Sequence, residues 1–493
     1  MTREDRIKEI LNRVLDVFSV SEAFTGRVKE LQQAGTEMKG LCPFHNDSHV
    51  GSFLGSDYKG VWKCFSCGCG GNAISFVRDY ERLHGSDVNY VEIGLKIAKE
   101  KAIITNEEYE SLTRRKISNS YSSEIEKIYK YKNKEEIADV DTLDKVYSIF
   151  SKGNEYLGKE RLSEEHKSHL LNHRHLTEDE IKEVGYFTFP KGFATRKILK
   201  ALEENEIPVD TLKKVPGFFY DKTTERYTFT TYSSAIGIPI RNKDGKIVAI
   251  QVRKDTVKEK DNRYIWFSSA WVQGKKDKLY GCSCGAPINV IYPKDKRTSA
   301  IYITEGHFKA IQIANKFGAI AISVQGVSTW KSVLPVLKEI PHSHICIAYD
   351  ADMAYNDGVF LQAIKMGITM LNLPEFVKHQ KTLENLGRKG VEQESIMKEL
   401  YEILYQEYME NHKIRPKNKC LTVKYVLWDS DKGKGIDDFL EMHSVEELKF
   451  MNIAMFYSKY VQYLRKINQF YEKHEDEKIP EEKRKEWFNS IMF

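Results

Sequence analysis

Long apolar runs are missing from this 493-residue chain, and so is any large excess of one charge. The longest apolar stretches, AIYIT, GAIAISV and HICIAY, have the length of strands, which excludes a helical membrane span. The opening MTREDRIKEI has no apolar signal core, so the sequence predicts a soluble, cytoplasmic protein with no leader and no membrane partner. With 76 basic against 71 acidic residues the net charge is +5, too even a balance for a global field to choose partners. Local patches must do that. There is no internal repeat. GNEYLGKE, from Gly153 to Glu160, has the glycine and lysine spacing of a phosphate loop, but Glu160 replaces the hydroxyl residue and no apolar strand precedes it. A fused helicase motor is therefore not expected.

What is present is a folded, multidomain composition, 41% hydrophobic and 12% aromatic, in a chain too long for one core. Residues 4–18 place Ile7, Ile10, Leu11, Val14, Leu15 and Phe18 on one helical face. A cysteine-rich stretch follows, then two helical segments, then a polar stretch around RRKISNSYSSE with the look of a linker that holds some helix. LTEDEIKE starts like a helix capped at Thr177. IGIPIRNKDGKIVAIQVR reads as two strands joined at Lys243-Asp244-Gly245. From Ser299 the pattern becomes strand-helix-strand-helix-strand, with helices beginning near His307 and Thr329, which predicts a parallel sheet covered on both faces.

Eight cysteines are present, and four lie between Cys42 and Cys69. That clustering suits a metal site better than a disulfide framework. Cys42-Pro-Phe-His45 and Cys64-Phe-Ser-Cys67 form two chelating pairs, each with two residues between ligands, the spacing that lets one tight turn present both side chains to one ion. Two thiolate and imidazole pairs predict one structural tetrahedral Zn²⁺, with Cys69 a spectator. Between the pairs, Trp62 and Lys63 are expected on the surface, where an aromatic and an ammonium can stack on and neutralise single-stranded nucleic acid. Phe53 and Phe65 are expected to be core. Cys282 and Cys284, a lone CxC, read as turn residues.

The strand SAIYIT ends in Glu305, and HICIAY runs into Asp350-Ala351-Asp352. In a parallel sheet functional groups gather at the carboxyl ends of strands, and three carboxylates there form the oxygen-rich donor set that Mg²⁺ or Mn²⁺ takes. Lys309, one helical turn after Glu305, either reaches substrate phosphate or is simply solvated.

Two stretches carry a resemblance. CPFHNDSHVGSFLGSDYKGVWKCFSCGCGGNAISFV resembles the zinc-binding domain of DnaG-type primases, with Gly51 where that family usually has proline before its Ser-Phe pair. TEGHFKA, SVQGVSTW and AYDAD resemble the Toprim domain of bacterial primases, topoisomerases and some nucleases, with Gly326 matching the glycine after the second strand. The resemblance implies catalytic, metal-holding roles for Glu305, Asp350 and Asp352, and a further acidic role for Asp437 in GIDD. It also implies a basic subdomain whose Arg241, Arg253, Arg263 and Tyr264 line a template and nucleotide groove. A second basic run, Lys413, Arg415, Lys417 and Lys419, reads as a solvated loop or a secondary template contact.

The implied architecture is α+β and multidomain. It comprises a zinc ribbon (1–102), a linker (103–140), a helical and basic strand subdomain (141–295), a Toprim domain (296–442) with a helical insertion at about 375–412, and a helical tail (443–493). The implied activity is synthesis of short RNA primers on single-stranded DNA from ribonucleoside triphosphates, beside a separate helicase, in phage or mobile-element replication. A Toprim nuclease or topoisomerase, and a non-catalytic DNA-binding replication protein, are the alternatives.

Overall fold

A computed structural model describes residues 2–34, 37–45, 47, 50–129, 137–151, 161–258, 262–273, 275–371, 422–471 and 479–492. These divide between one unit within residues 1–134 and a second from residue 135 onward.

In the first unit, α1 (Arg3–Val17) starts at a capping box in which Thr2 and Asp5 satisfy each other's backbone N–H. Its apolar stripe buries Ile7, Ile10, Leu11 and Val14, as the periodicity predicts. α2 (Val20–Phe24) leads into an antiparallel sheet of β1 (Lys29–Ala34), β2 (Glu37–Leu41), β3 (Phe53–Ser56), β4 (Val61–Cys64) and β5 (Gly70–Gly71), paired in chain order. α3 (Ala73–Leu83) packs beside it, and α4 (Tyr90–Glu100) packs against α1 and α3. Phe76 of α3 is fully buried, and its ring lies 4.7 Å from Phe24, 5.5 Å from Phe44, 6.1 Å from Phe53 and 5.3 Å from Trp62.

The stretch expected to be a linker differs. α5 (Asn106–Thr113) and α6 (Asn119–Tyr129) occupy about half of it, and Leu112, Ile117, Ile125 and Tyr129 are buried in the same core as α1. The polar composition that suggested a linker belongs to the outer faces of these helices; one apolar residue per turn suffices to seat them.

The second unit holds three sheets among the described residues. β9 (Ala235–Arg241) and β10 (Ile247–Lys254) form the expected hairpin, flanked by β6 (Phe187–Thr188) and β11 (Tyr264–Trp266). A small sheet pairs β12 (Lys278–Leu279), β7 (Phe218–Asp221) and β8 (Arg226–Phe229). The third has the order β13-β15-β14-β16-β17-β18, comprising Asn289–Ile291, Ile320–Ser323, Ala300–Thr304, His344–Ile347, Thr422–Leu427 and Lys449–Asn452. Its four central strands are parallel and both edges antiparallel. β14 and β15 are buried along their whole length, which is why they read as unbroken apolar runs.

Strand order determines where chemistry can sit. From β14 the chain crosses through the helix His307–Phe317 to β15 on one side, while β16 pairs with β14 on the other. Connections leaving to opposite sides open a crevice at the carboxyl ends of β14 and β16. Glu305 and Asp350 stand at those two ends. The insertion expected at 375–412, the basic run Lys413 to Lys419 and the GNEYLGKE stretch lie outside the described residues. No helix among the described residues is long and apolar enough to cross a membrane.

Phe76→Ala, which removes the ring at the centre of the aromatic core, is expected to cost about 3–5 kcal/mol. Thermal unfolding should show the first unit melting early while the second keeps its transition.

Candidate active site and zinc centre

Strand alternation builds the zinc centre. On β4, Trp62 and Cys64 are buried while Val61 and Lys63 are partly exposed, so the residue two before a ligand must face inward with it. Trp62 is therefore a core residue, only 2% exposed, and its indole Nε1 donates to the carbonyl of Asn72 at 3.0 Å. The expectation of a surface Trp62 is corrected, and that of a buried Phe65 with it: Phe65 is 39% exposed, with the Lys63 ammonium 5.0 Å from its ring centre.

The donor atoms of Cys42, His45, Cys64 and Cys67 all lie within 4.8 Å of one another. Among the described residues no other group of three or more possible ligands is so close. Cys42 Sγ and Cys67 Sγ are 3.9 Å apart, as are Cys64 Sγ and His45 Nδ1. Two sulfurs bound at 2.3 Å to one tetrahedral ion stand about 3.8 Å apart, so the set fits zinc. Asp47 braces the site by accepting from the Cys42 N–H at 2.9 Å and the Ser52 hydroxyl at 3.3 Å, with its other oxygen 3.8 Å from His45 Nε2. The Cys69 carbonyl takes the Cys64 N–H at 2.8 Å, closing the turn. Gly51 has φ +149°, which proline cannot adopt, so the departure from the family pattern reflects a different loop path.

In the second unit the acidic residues gather around Lys309. Its ammonium is paired with Asp350 and feels Glu305 and Asp437 as well. Burial pulls the Lys309 pKa down, but these three carboxylates outweigh it and the group is held above its ordinary value. Glu305 accepts from the backbone N–H of Asp350, yet burial first and the Asp350 charge second push it up to about 7. Burial and then Asp350 raise Asp352 too, and burial raises Asp437. Asp437 Oδ1 is buried with no hydrogen bond. Gly435 permits this convergence: a Cβ there would lie 2.3 Å from Asp437 Oδ1 and 3.0 Å from Lys309 Cε. These carboxylates repel one another in a site already needing a cation, and hard oxygen donors of this kind fit Mg²⁺ or Mn²⁺.

A buried network holds the first turn after Glu305. Asn289 Oδ1 accepts the Arg241 N–H at 2.8 Å, so its amide nitrogen donates to His307 Nδ1 at 2.7 Å. His307 Nε2 must then carry the proton given to Tyr186 Oη at 2.6 Å. Burial holds this imidazole at a pKa of about 3, neutral throughout the physiological range.

The basic residues implied by resemblance are scattered in role. The Arg241 guanidinium donates to the carbonyls of Gly245 at 2.9 Å and Val184 at 3.3 Å, a structural tie. Arg253 is buried and paired with Asp255 at 3.3 Å, while its Nε has no hydrogen-bond partner. Arg263 is exposed. Tyr264 accepts from Arg174 at 3.2 Å. Sequence reasoning missed Arg174, which also reaches Asp437 at 3.6 Å and stacks 4.7 Å over Phe308. Its signal was LNHRHL, a basic cluster directly before the Thr177 cap. Cys282 and Cys284 are buried and join no group of possible ligands among the described residues.

Two outcomes follow from this geometry. Elemental analysis should find one zinc per chain, and Cys64→Ser should lose most of it. A folded carboxyl raised from 4.5 to about 7 favours the fold below the lower value, and that benefit is lost as pH rises through the upper one. Glu305→Gln, measured by thermal unfolding with no divalent cation added, should therefore stabilise the second unit above pH 7 and make no difference below pH 4.5.

Residues 6–111 match the CHC2 zinc finger family. The chain is 25% identical over 360 residues to a DNA primase of Helicobacter pylori, covering 73% of this chain and 56% of that one. It is 22% identical over 412 residues to a DNA primase of Aquifex aeolicus, covering 81% and 71% respectively. The chain thus spans little more than half the length of the Helicobacter protein. A crystal structure of the Aquifex aeolicus primase, with its zinc-binding and RNA polymerase domains, is 20% identical over 81% of this chain and 90% of that one. Its TM-score of 0.35 carries no argument about the fold. Through its zinc ribbon and along most of its length, the chain is thus similar to DnaG-type DNA primases.

Proposed function

We propose that the chain is a DNA-templated RNA primase, joining ribonucleoside triphosphates on single-stranded DNA. The observation that carries this reading is the set of carboxylates at the switch point of the parallel sheet, gathered around Lys309. Similarity to bacterial DNA primases selects primer synthesis among the reactions such a site could serve.

Glu305, Asp350 and Asp352 would hold Mg²⁺ or Mn²⁺, with Asp437 beside them. Bound there, such a cation would supply Lewis-acid chemistry, lowering the pKa of an attacking 3′-hydroxyl and offsetting charge on the α-phosphate. Lys309 offsets part of the mutual repulsion among the carboxylates before substrate arrives. The Asn289–His307–Tyr186 chain fixes the start of the helix that carries Lys309, so the acid positions are set beforehand. Arg174 brings a fixed guanidinium charge to the Asp437 side, suited to template or nucleotide phosphate. Exposed Arg263 adds a second charge for the same purpose. In the first unit, exposed Phe65 with Lys63 replaces Trp62 as the surface for stacking and neutralising single-stranded template. A separate helicase remains the expected replication partner.

The test combines purified protein, single-stranded DNA, Mg²⁺ or Mn²⁺ and labelled ribonucleotides. Short RNA oligomers should form, and Asp350→Ala should slow their formation at least about a hundredfold with zinc content unchanged. Nicking or relaxation of DNA, or no product with either metal, defeats the reading.

A further inference from the structure

A cavity of about 560 Å³ opens beside Asp352, within the range of small-molecule sites. The helix Glu481–Met492 builds one of its walls. Asp352, Tyr355, Ser430, Lys434, Glu482 and Lys485 line it. The Toprim resemblance implies nothing at the C-terminal helix, and the mechanism above makes no use of it.

The helix is well anchored for such a role. Asn489 Nδ2 donates to Asp429 Oδ1 at 2.8 Å, and Phe488, fully buried, packs 5.7 Å from the Tyr355 ring. Lys459 holds the carbonyl of Ile491 at 2.5 Å. Tyr355 lies three residues after Asp352, and its carbonyl accepts from the Tyr463 hydroxyl at 3.3 Å. The terminal helix and the Asp352 loop are therefore packed together as one wall.

The polar groups there suit a polyanion. Lys434 faces Asp352 closely enough to act on its charge. Lys485 is paired with Asp431 at 2.5 Å, but Asp431 is 71% exposed. An ion pair so open to water contributes little, so Lys485 can exchange Asp431 for a better anion at small cost. The hydroxyl of Ser430 is buried and makes no hydrogen bond within the protein.

We infer that this cavity is a polyphosphate subsite in which Lys485 of the terminal helix, with Lys434, holds the phosphate chain of an incoming nucleotide or released pyrophosphate. The inference rests on the reading of Asp352 as a cation ligand. Glu482, a carboxylate on the same wall, opposes the ligand and limits its affinity.

The experiment is titration calorimetry of the full chain with tripolyphosphate, pyrophosphate or phosphate, each with Mn²⁺, beside primer-synthesis kinetics. Lys485→Met, which keeps the aliphatic stem, should weaken tripolyphosphate binding about tenfold and raise the nucleotide KM with kcat little changed. Lys485→Arg should restore both, and Glu482→Gln should tighten binding. A preference for tripolyphosphate over pyrophosphate assigns the cavity to the incoming nucleotide, and the reverse assigns it to the product. Unchanged affinity in both Lys485→Met and Glu482→Gln, or no polyphosphate binding to the wild-type chain, overturns the inference even where primers are made. Lys485-dependent binding without primer synthesis keeps the subsite and removes the primase reading.

Discussion

An ammonium group among carboxylates is the interaction on which the larger unit turns. Without Lys309, Asp350, Glu305 and Asp437 would face one another across a space that burial makes poor in water. Mutual repulsion would then protonate or separate them. Removing one partner from a largely buried ion pair typically costs about 3–5 kcal/mol, because the remaining charge is left uncompensated. Lys309 thus does in part what a divalent cation would do more strongly, pairing with Asp350 and offsetting the charges of Glu305 and Asp437 from separate elements. Burial first and the Asp350 charge second still push Glu305 up to about 7, so Lys309 compensates only in part.

The rest of the unit serves this point. Parallel pairing of β14 with both β15 and β16 brings two strand ends side by side, and helix His307–Phe317 leaves from the first. The neutral His307, locked between Asn289 and Tyr186, ties that helix to β13 and to the segment before β6. The backbone N–H of Ala351 donates to the carbonyl of Lys434 at 2.9 Å, joining the aspartate loop to the loop before Asp437. The zinc ribbon has a separate logic, in which four ligands reinforce a core of aromatic rings and helical side chains packed on a small sheet.

Much of this was legible in the residues. Ligand spacing located the donors of the zinc centre, and apolar strand-length runs located β14, β15 and β16 together with the acids at their ends. The errors have physical causes. Trp62 was expected at the surface because aromatics near a lysine suggest stacking, although its two-residue spacing from Cys64 already placed it inside. The segment 103–140 reads as a linker with some helix because its mean polarity hides single buried residues such as Leu112 and Ile125, which seat those helices in the core. Arg174 and the terminal helix were out of reach, since their parts in the site arise from packing between elements far apart in the chain. Nothing local in EEKRKEWFNS marks Lys485 as a neighbour of Asp352.

The central claim is that the acids around Lys309 form a cation site, and diffraction from crystals soaked in Mn²⁺ tests it most directly. The account predicts an anomalous peak bounded by Glu305, Asp350 and Asp352, with Lys309 Nζ drawn away from Asp350. Crystals that bind Mn²⁺ elsewhere, with no peak there and the Lys309–Asp350 pair intact, would contradict it.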